Sequence, residues 1–389
     1  MVHISERETG LPEAVIGKLL KIAAEDKSVL SLGPGEPDFP APQPIVDFTR
    51  SAAAVCNHYS PPGGRHELKE ALVRKLKKEN KIDATPANIM VTCGSQEALL
   101  LATACTLDVS EQIIIPNPSF LGYLPTFELF NAFPVALELR EDEGWEINPD
   151  RLKQLIDRKK TKAIMINTPS NPTGNVLSRK VLEEIADLAV EYDLYIFSDE
   201  AYEKLVYGKK NYSIGSFNGM GHYVATFQTF SKSFAMCGYR VGYAVGPRNL
   251  IEAMTKTHIY TTLCAPTISQ MVATRALGID KKYIERMVNE YDRRRKFLVK
   301  RLQDMGLATV MPHGAFYTFS NITGIHDNSF ELAYDLLKHA KVAVVPGREF
   351  GRHGEGYIRC SYATEYATIV KAMDALEKYI KKHTKSTHD

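Results

Sequence analysis

The stretch on which the fold assignment depends is residues 224–240, VATFQTFSKSFAMCGYR. It opens with a β-type run and ends in a segment rich in small and polar residues. Lys232 has side chains around it that can bind phosphate, namely Thr229, Ser231 and Arg240. An amine in such surroundings is either a plain electrostatic contact or the amine that bonds covalently to a phosphorylated aldehyde. This stretch alone favours a solvated loop lysine, and two stretches upstream change that interpretation.

Both upstream stretches place polar side chains directly after an apolar strand. One apolar run leads into Asp199, and Tyr202 follows three residues later. The other, residues 163–166, leads into a turn that carries Asn171 in the sequence Asn-Pro-Thr-Gly. In an open α/β sheet, ligands bind outside the carboxyl ends of the strands. The three stretches are therefore expected to meet at one ligand site.

The order of these motifs resembles the class I and II aminotransferases of fold type I, which use pyridoxal phosphate. The motifs are Asn-Pro-Thr-Gly, then Asp-x-x-Tyr, then Ser-Lys with an arginine eight residues after the lysine. Nearly the whole chain can be laid on that family, and within it the chain looks most like the archaeal aromatic amino acid aminotransferases. The alternation of helical and strand patterns independently indicates a parallel, doubly wound sheet.

The resemblance implies an α/β fold with two domains. A large domain with a mainly parallel seven-stranded sheet between helices is expected over residues 45–285. A smaller α+β domain is expected over residues 286–389, joined by an N-terminal arm over residues 1–44. Apolar residues at helical spacing also predict a helix from about Leu11 to Asp26.

The resemblance also assigns the roles around the cofactor ring. Lys232 is expected to bind the aldehyde and later to move a proton at the substrate. Asp199 is expected beside the pyridine nitrogen, where a carboxylate keeps that nitrogen protonated. Asn171 and Tyr202 are expected to donate to the ring hydroxyl oxygen. On local grounds alone, Asp199 could instead be a helix cap, and the turn that follows Asn171 would explain that residue without a ligand.

A further phosphate site is predicted where a buried strand runs into Gly94, Ser95 and Gln96, which open an apolar helix. The first N–H groups of a helix are unpaired and lie at the positive end of its dipole. Ser95 could equally be a plain helix cap, and both roles are compatible. After the next strand, Phe120 or Tyr123 could stack on a flat ring. The family's ring-stacking aromatic falls at Phe120.

Substrate recognition requires a group for the α-carboxylate, and Arg359 is the candidate. It lies in the strand-like stretch Ile-Arg-Cys-Ser-Tyr, where a buried arginine needs a partner, and its planar fork suits a carboxylate. Arg348 and Arg352 have the same chemistry, but they flank glycine-rich loops and are expected to face solvent. The resemblance adds Gly35, whose backbone approaches the substrate carboxylate, and Asn171 as a second contact.

The pocket for the substrate side chain is expected to be apolar or aromatic. The candidate side chains are Phe120, Tyr59, Phe234, Tyr260 and Phe316. No second arginine is evident for a dicarboxylate side chain, so aromatic or broad-range amino donors are favoured, with 2-oxoglutarate as acceptor. An aspartate aminotransferase and a carbon–sulfur β-lyase on the same scaffold remain alternatives, because fold does not fix the reaction. A pyridoxal-phosphate-sensing regulator would need a DNA-binding domain, for which the residues before Gly35 are too few.

Tyr59 indicates a homodimer. Read alone it is an ordinary loop aromatic, but in the family the matching tyrosine crosses the interface and bonds the cofactor phosphate of the other subunit. Active sites shared between two subunits are therefore expected.

Composition supports a cytoplasmic enzyme and excludes several other classes. The chain has 389 residues, 44% of them hydrophobic, and a net charge of +2, which gives no reason to expect nucleic acid as a partner. No apolar run approaches the length of a membrane span, and the histidines lack the spacing of a metal site. The six cysteines lack Cys-x-x-Cys spacing and are expected to be reduced.

Overall fold

The computed structural model describes residues 25–384 and, before them, residues 3–5, 8, 11, 17, 21 and 22. The predicted helix over residues 11–26 lies mostly outside the described residues. The largest sheet has seven strands in the order β2-β8-β7-β6-β5-β3-β4. In chain order these strands are β2 Ile89–Thr92, β3 Gln112–Asn117, β4 Phe133–Glu138, β5 Thr161–Asn167, β6 Tyr195–Asp199, β7 Val224–Thr229 and β8 Gly242–Val245.

This sheet is mainly parallel. The strands from β7 through β4 pair in parallel, and β8 is antiparallel to both of its neighbours. The carboxyl ends of β3, β5, β6 and β7 therefore lie along one edge of the sheet. The predicted α/β fold with a mainly parallel seven-stranded sheet is confirmed.

Helices cover both faces of the sheet, because its central strands are apolar on both sides. Alternate residues of β3 show this: Ile113 and Ile115 pack into one buried cluster, and Ile114 packs into another. The helices of the described residues from 43 onward are α1 Gln43–Ala52, α2 His66–Lys75, α3 Ser95–Thr106, α4 Tyr123–Glu128, α5 Pro149–Leu155, α6 Arg179–Tyr192, α7 Phe230–Ser233, α8 Arg248–Thr261, α9 Thr267–Ala276, α10 Lys282–Asp304, α11 Ser329–Asp335 and α12 Tyr366–Thr384. The cluster that holds Ile113 includes residues of α3 and α8, and the cluster that holds Ile114 includes residues of α6.

The C-terminal part has a second, smaller sheet, as the α+β expectation requires. It has three antiparallel strands in the order β11-β12-β9. The strands of this part are β9 Tyr317–Asn321, β10 Val342–Ala343, β11 Val345–Pro346 and β12 Tyr357–Ser361. Strand β10 pairs in parallel with β1, Leu30–Ser31, so a segment near the N-terminus joins this part of the protein. The predicted domain boundary after residue 285 falls in the first turn of α10, and the division into domains stays a prediction.

Two helices continue into π-helical turns: Leu76–Asn80 follows α2, and Leu336–Ala340 follows α11. The apolar run that begins at residue 342 forms two short strands, β10 and β11, which join different partners.

All six cysteines are free thiols. Among the helices of the described residues, none is long and apolar enough to cross a membrane.

Candidate active site

A cavity of about 250 Å³ lies at the carboxyl edge of the large sheet. It brings together thirteen of the fourteen predicted site residues: Gly35, Gly94, Ser95, Gln96, Phe120, Asn171, Asp199, Tyr202, Thr229, Ser231, Lys232, Arg240 and Arg359. Tyr59 is the exception, and its side chain is 83% exposed at the surface. The remaining lining residues are Leu99, Leu121, Tyr123, Asn167, Ala201 and Tyr317.

One end of the cavity is a cradle of hydrogen-bond donors. Gly94, with φ +86°, directly precedes α3, and the first backbone N–H groups of a helix lack partners within it. Thr229 donates from Oγ1 to Ser231 Oγ at 3.0 Å, so two hydroxyls lie side by side. The guanidinium of Arg240 lies so close that a Cβ on Gly94 would come within 2.9 Å of its Nη2. Such a donor set suits an anion.

Asp199 ends β6 and is held by two donors. Tyr123 donates from its hydroxyl to Oδ2 at 2.6 Å, and the backbone N–H of Ala201 donates to Oδ1 at 3.0 Å. Burial nevertheless raises the pKa of the Asp199 carboxyl, and these two bonds and the charge of Lys232 only partly offset that effect. A buried carboxyl of this kind is kept ionised by a cation placed beside it.

Lys232 lies in α7, just beyond the carboxyl end of β7. Its Nζ donates to the backbone carbonyl of Gly35 at 2.6 Å and lies 5.9 Å from the ring centroid of Tyr202. The hydroxyls of Tyr202 and Tyr317 are hydrogen-bonded at 3.0 Å. Burial raises the pKa of Tyr202 well above its ordinary value, so its hydroxyl keeps its proton at neutral pH. An amine, a carboxyl and a phenol therefore face one cavity.

Arg359 reaches the cavity from β12, and its side chain is 2% exposed. Nη1 donates to Asn171 Oδ1 at 3.0 Å, and Nη2 donates to the carbonyl of Gly33 at 2.8 Å. Its Nε is buried without a partner, and among the described residues no carboxylate lies within ion-pair distance of it. Burial lowers the pKa of the guanidinium, and the hydroxyls of Tyr317 and Tyr202 offset that effect only in part. A buried cation with a free donor is suited to bind a carboxylate.

These residues fit pyridoxal phosphate. The donor cradle at Gly94 matches a phosphate, and the carboxyl of Asp199 matches a protonated ring nitrogen. Lys232 contributes an amine to the same cavity, and the unpartnered Nε of Arg359 is available for an amino acid carboxylate. The chemistry of the donor set therefore corresponds to each end of the cofactor and to its substrate.

Three lining residues were not predicted to have these roles. Tyr123 was considered as a ring-stacking residue, but its hydroxyl donates to Asp199. Its ring packs edge-on against Phe120, with 5.4 Å between the ring centroids. Asn167 accepts from the N–H of Asn171 at 2.8 Å and so fixes the turn that follows β5. Its position as the last residue of an apolar strand is a signal that could have indicated it. The ring centroid of Tyr317 lies 4.2 Å from the guanidinium carbon of Arg359.

Of the five side chains predicted for the substrate side-chain pocket, four do not line the cavity: Tyr59, Phe234, Tyr260 and Phe316. Phe234 packs in the core, with its ring 5.2 Å from that of Phe230. Phe316 is buried against Tyr202, because its neighbour Tyr317 takes the position that lines the cavity. Tyr260 is exposed on α8 and does not line the cavity of its own chain.

Comparison with known proteins gives the family. The sequence profile described as aminotransferase class I and II matches residues 27–376. The chain belongs to the class I and II aminotransferases. It is 45% identical over 97% of its length to an aspartate aminotransferase of Pyrococcus abyssi, covering 98% of that protein. It is 43% identical, with the same coverage of 97% and 98%, to aromatic-amino-acid aminotransferase 2 of Thermococcus litoralis.

A solved structure agrees with this membership. The aromatic aminotransferase from Pyrococcus horikoshii has a TM-score of 0.90 and 43% identity, with 95% of this chain and 99% of that chain covered. This aminotransferase therefore has the fold of the fold-type I enzymes and depends on pyridoxal phosphate. Its similar relatives carry both aspartate and aromatic names, so membership of the family leaves the amino donor open.

Proposed function

We propose that this aminotransferase moves the amino group of aromatic L-amino acids to 2-oxoglutarate in a ping-pong cycle. The observation that carries the proposal is the set of charges in the cavity. Its lining cations are Lys232, Arg240 and Arg359. We assign Lys232 to the cofactor aldehyde, Arg240 to the cofactor phosphate and Arg359 to the α-carboxylate, and these three tasks are the same for every amino donor. No lining cation remains for a second carboxylate on the donor side chain. The rest of the wall includes Leu99, Leu121 and aromatic rings, which suit an apolar side chain.

We assign the phosphate of the cofactor to the donor cradle. Its members are Gly94, Ser95, Gln96, Thr229, Ser231 and Arg240. Phe120 would lie against the ring, and Asp199 would lie beside the ring nitrogen, where Tyr123 keeps the carboxyl oriented. Asn171 and Tyr202 would donate to the ring hydroxyl oxygen. When bound, the cofactor supplies an aldehyde for the amino group and an electron sink for the charge that develops at the substrate Cα.

Lys232 would hold the aldehyde of the cofactor through its amine and would move the Cα proton of the substrate. Its amine already lies in the cavity, where the carbonyl of Gly35 orients it. Arg359 is assigned the α-carboxylate, for which its unpartnered Nε is available. The amide of Asn171 holds one arm of that guanidinium, so its plane is fixed before substrate arrives.

The homodimer with shared active sites and the cytoplasmic location also remain proposals. Tyr59 is consistent with the dimer that the family resemblance implies, because it is 83% exposed and therefore accessible to a second subunit. In a dimer, Tyr59 of one subunit would bond the cofactor phosphate in the other.

The test is a panel of amino acids with 2-oxoglutarate, read as the rate of glutamate formation. Phenylalanine, tyrosine or tryptophan is expected to exceed aspartate in kcat/KM by about tenfold, since apolar contacts of one or two methylene groups each contribute about 1–3 kcal/mol. Glutamate is expected to be accepted, because its keto acid closes the cycle, but with a higher KM than the aromatic donors, since no lining cation remains for its side-chain carboxylate. A Lys232→Ala variant gives the background rate.

Two other outcomes would replace the proposal. If aspartate is the best donor by an order of magnitude, the protein acts as its Pyrococcus abyssi relative is named, and a cation from outside the described cavity must reach the substrate. Release of pyruvate and ammonia from a cysteine conjugate would instead indicate a β-lyase.

A further inference from the structure

A buried cluster of polar side chains lies next to the cavity but does not line it. We call it the Lys75 cluster, and its members are Lys75, Asn80, Glu200, Glu203 and Gln228. Four of the five are buried or nearly so, and Lys75 has a side chain that is only 6% exposed. Neither the assigned chemistry nor the fold of the sheet requires one cation and two carboxyls at this place.

Lys75 is the centre of the cluster. Its Nζ donates to Glu203 Oε1 at 2.5 Å, to Asn80 Oδ1 at 2.8 Å and to Gln228 Oε1. An ammonium has three protons, so the three acceptors satisfy it completely. The lysine is the last residue of α2, and Glu203 and Gln228 are more than a hundred residues away in sequence. One side chain therefore joins α2 to two separate parts of the sheet edge.

Two amides connect the two carboxyls. Gln228 donates from Nε2 to Glu200 Oε2 at 2.9 Å and to Glu203 Oε2 at 3.0 Å. Asn80 donates from Nδ2 to Glu203 Oε2 at 2.8 Å. Glu200 Oε1 also accepts from the hydroxyls of two serines, Ser198 at 3.2 Å and Ser213 at 2.5 Å. The cluster is thus a closed network of hydrogen bonds.

The electrostatics are asymmetric. Burial raises the pKa of Glu200 to about 7, with Glu203 adding repulsion. Burial also acts on Glu203, but Lys75 and Lys204 outweigh it and lower the pKa of that carboxyl. Lys75 and Glu203 thus form the ion pair, and they are the charged groups that face Glu200. A buried ion pair is often replaceable by apolar side chains without loss of stability, so stability alone does not explain this cluster.

The position of the cluster along the chain is informative. Glu200 directly follows Asp199, Glu203 directly follows Tyr202, and Gln228 directly precedes Thr229. Each of those three neighbours lines the cavity. Gln228 and Thr229 are successive residues of β7, so their side chains point to opposite faces of the strand. Glu200 directly follows the end of β6, and Glu203 lies in the turn after it. Holding these three residues therefore restrains the backbone that carries Thr229, Asp199 and Tyr202.

We propose that the Lys75 cluster is a positioning device that sets the distance between the carboxyl of Asp199 and the donors around Thr229, and thereby between the two ends of the cofactor site. Its five members are positioning residues, since none lines the cavity. The inference rests on the roles assigned to Asp199, Thr229 and Lys232 above. It predicts that damage to the cluster changes how the cofactor is held, in addition to any loss of stability.

The experiment uses two variants of the whole protein, Lys75→Met and Asn80→Ala. Asn80 is only half-buried, so the Asn80→Ala protein is expected to fold even if the Lys75→Met protein does not. Two quantities are measured well below the unfolding temperature. The first is the dissociation constant of pyridoxal phosphate from the apoprotein. The second is the pH midpoint at which the visible band of the bound cofactor titrates. Both variants are expected to bind the cofactor about tenfold more weakly and to shift the midpoint by about half a pH unit.

The matched control is Lys78→Gln. Lys78 is an exposed residue of the same π-helical turn as Asn80, Leu76–Asn80, and is not a member of the cluster. The substitution removes a charge from the same turn and is expected to leave both quantities unchanged. Lower unfolding temperatures in Asn80→Ala and Lys75→Met, with a normal dissociation constant and midpoint, would overturn the proposal and leave a packing role. If Lys75→Met does not fold, the result for Asn80→Ala decides alone.

Lys232→Ala is measured in parallel to separate the two levels of inference. Loss of the titrating band in this variant, with normal values in the cluster variants, refutes the positioning device only. An unchanged titration in Lys232→Ala refutes the site assignment and the positioning device with it.

Discussion

At Arg359, the effect of the planar guanidinium can be tested separately from the effect of its positive charge. Arg359→Lys keeps a cation at the end of β12 but removes the planar fork and the free Nε. A hydrogen bond to a charged group contributes about 1.5–3 kcal/mol, so kcat/KM should fall by about 10- to 100-fold. The loss should be similar for every amino donor, because all of them share the α-carboxylate. Steady-state kinetics with phenylalanine, tyrosine and aspartate measures it.

Arg348→Lys is the control for this prediction. Arg348 is an exposed arginine of the same C-terminal part, and it does not line the cavity. Its substitution should leave all donors unaffected. If Arg359→Lys weakened one donor far more than the others, Arg359 would be contacting the side chain of the substrate instead of its α-carboxylate.

At the scale of residues, the sequence indicated which residues line the site better than it indicated which side chains contact each other. Lys232, Asp199 and Asn171 could be named because each lies in a short motif after a strand. The bond from Tyr123 to Asp199 could not, since it spans 76 residues and depends on the path of the loop after β3. The Lys75 cluster could not be predicted from the sequence either, because its members are far apart along the chain. A lysine in a charged helix reads as solvated until the helix is packed.

The start of α3 gives a prediction at the scale of an element. A Cβ on Gly94 would displace the guanidinium of Arg240, and the residue's φ of +86° is unfavourable for alanine. Gly94→Ala should therefore weaken binding of pyridoxal phosphate to the apoprotein by about tenfold, since a hydrogen bond to a charged group contributes about 1.5–3 kcal/mol. It should also lower stability by about 1–3 kcal/mol, because a φ of 86° with a ψ of 170° lies in a region that is essentially confined to glycine. Equilibrium dialysis and thermal unfolding measure the two effects.

Gly219→Ala separates these effects. Gly219 also has a positive φ, +80°, with a ψ of −12° in the left-handed helical region, and a Cβ there would meet nothing within 4 Å. Its substitution should carry a conformational cost of its own, about 1–2 kcal/mol, and leave the cofactor affinity unchanged. Equal affinities for Gly94→Ala and wild type would show that Arg240 does not hold the phosphate from this position.

Elements were predictable where burial makes the pattern regular. The central strands β5 and β6 are continuous apolar runs, and the sequence indicates both. Strand β4 escapes detection because it lies at the edge of the sheet, where Phe133 is exposed and Pro134 argues against a strand. The two short strands β10 and β11 are also hard to separate, because one apolar run supplies both.

The whole molecule is expected to act as a homodimer, and hybrid dimers test this. Tyr59→Ala and Lys232→Ala subunits are each expected to be impaired. A mixed dimer would pair the intact Lys232 of one subunit with the intact Tyr59 of the other, and so regain one site. After equal mixing and subunit exchange, activity should rise to about a quarter of the wild-type rate, because half of the dimers are mixed and each has one of two sites.

Asp199→Ala mixed with Lys232→Ala is the control. Both residues line the same cavity of a single chain, so no mixed dimer of these variants contains an intact site. Recovery in the first mixture but not in the second would support the shared site. Equal absence of recovery in both, after exchange is verified by mass, would count against Tyr59 acting across the interface.

The contacts of Arg359 come from distant parts of the chain, whereas the donor cradle for the phosphate comes from the middle of the chain. Its guanidinium comes from β12, bonds the carbonyl of Gly33 near the N-terminus, and bonds Asn171 in the middle of the chain. The donor cradle, by contrast, is built from residues between Gly94 and Arg240 alone. A protein shortened from its N-terminus past Gly35 would lose the partner that orients the arginine while keeping every donor of the cradle. Holding the phosphate of the coenzyme and binding the carboxylate of an amino acid are therefore separable properties of this polypeptide.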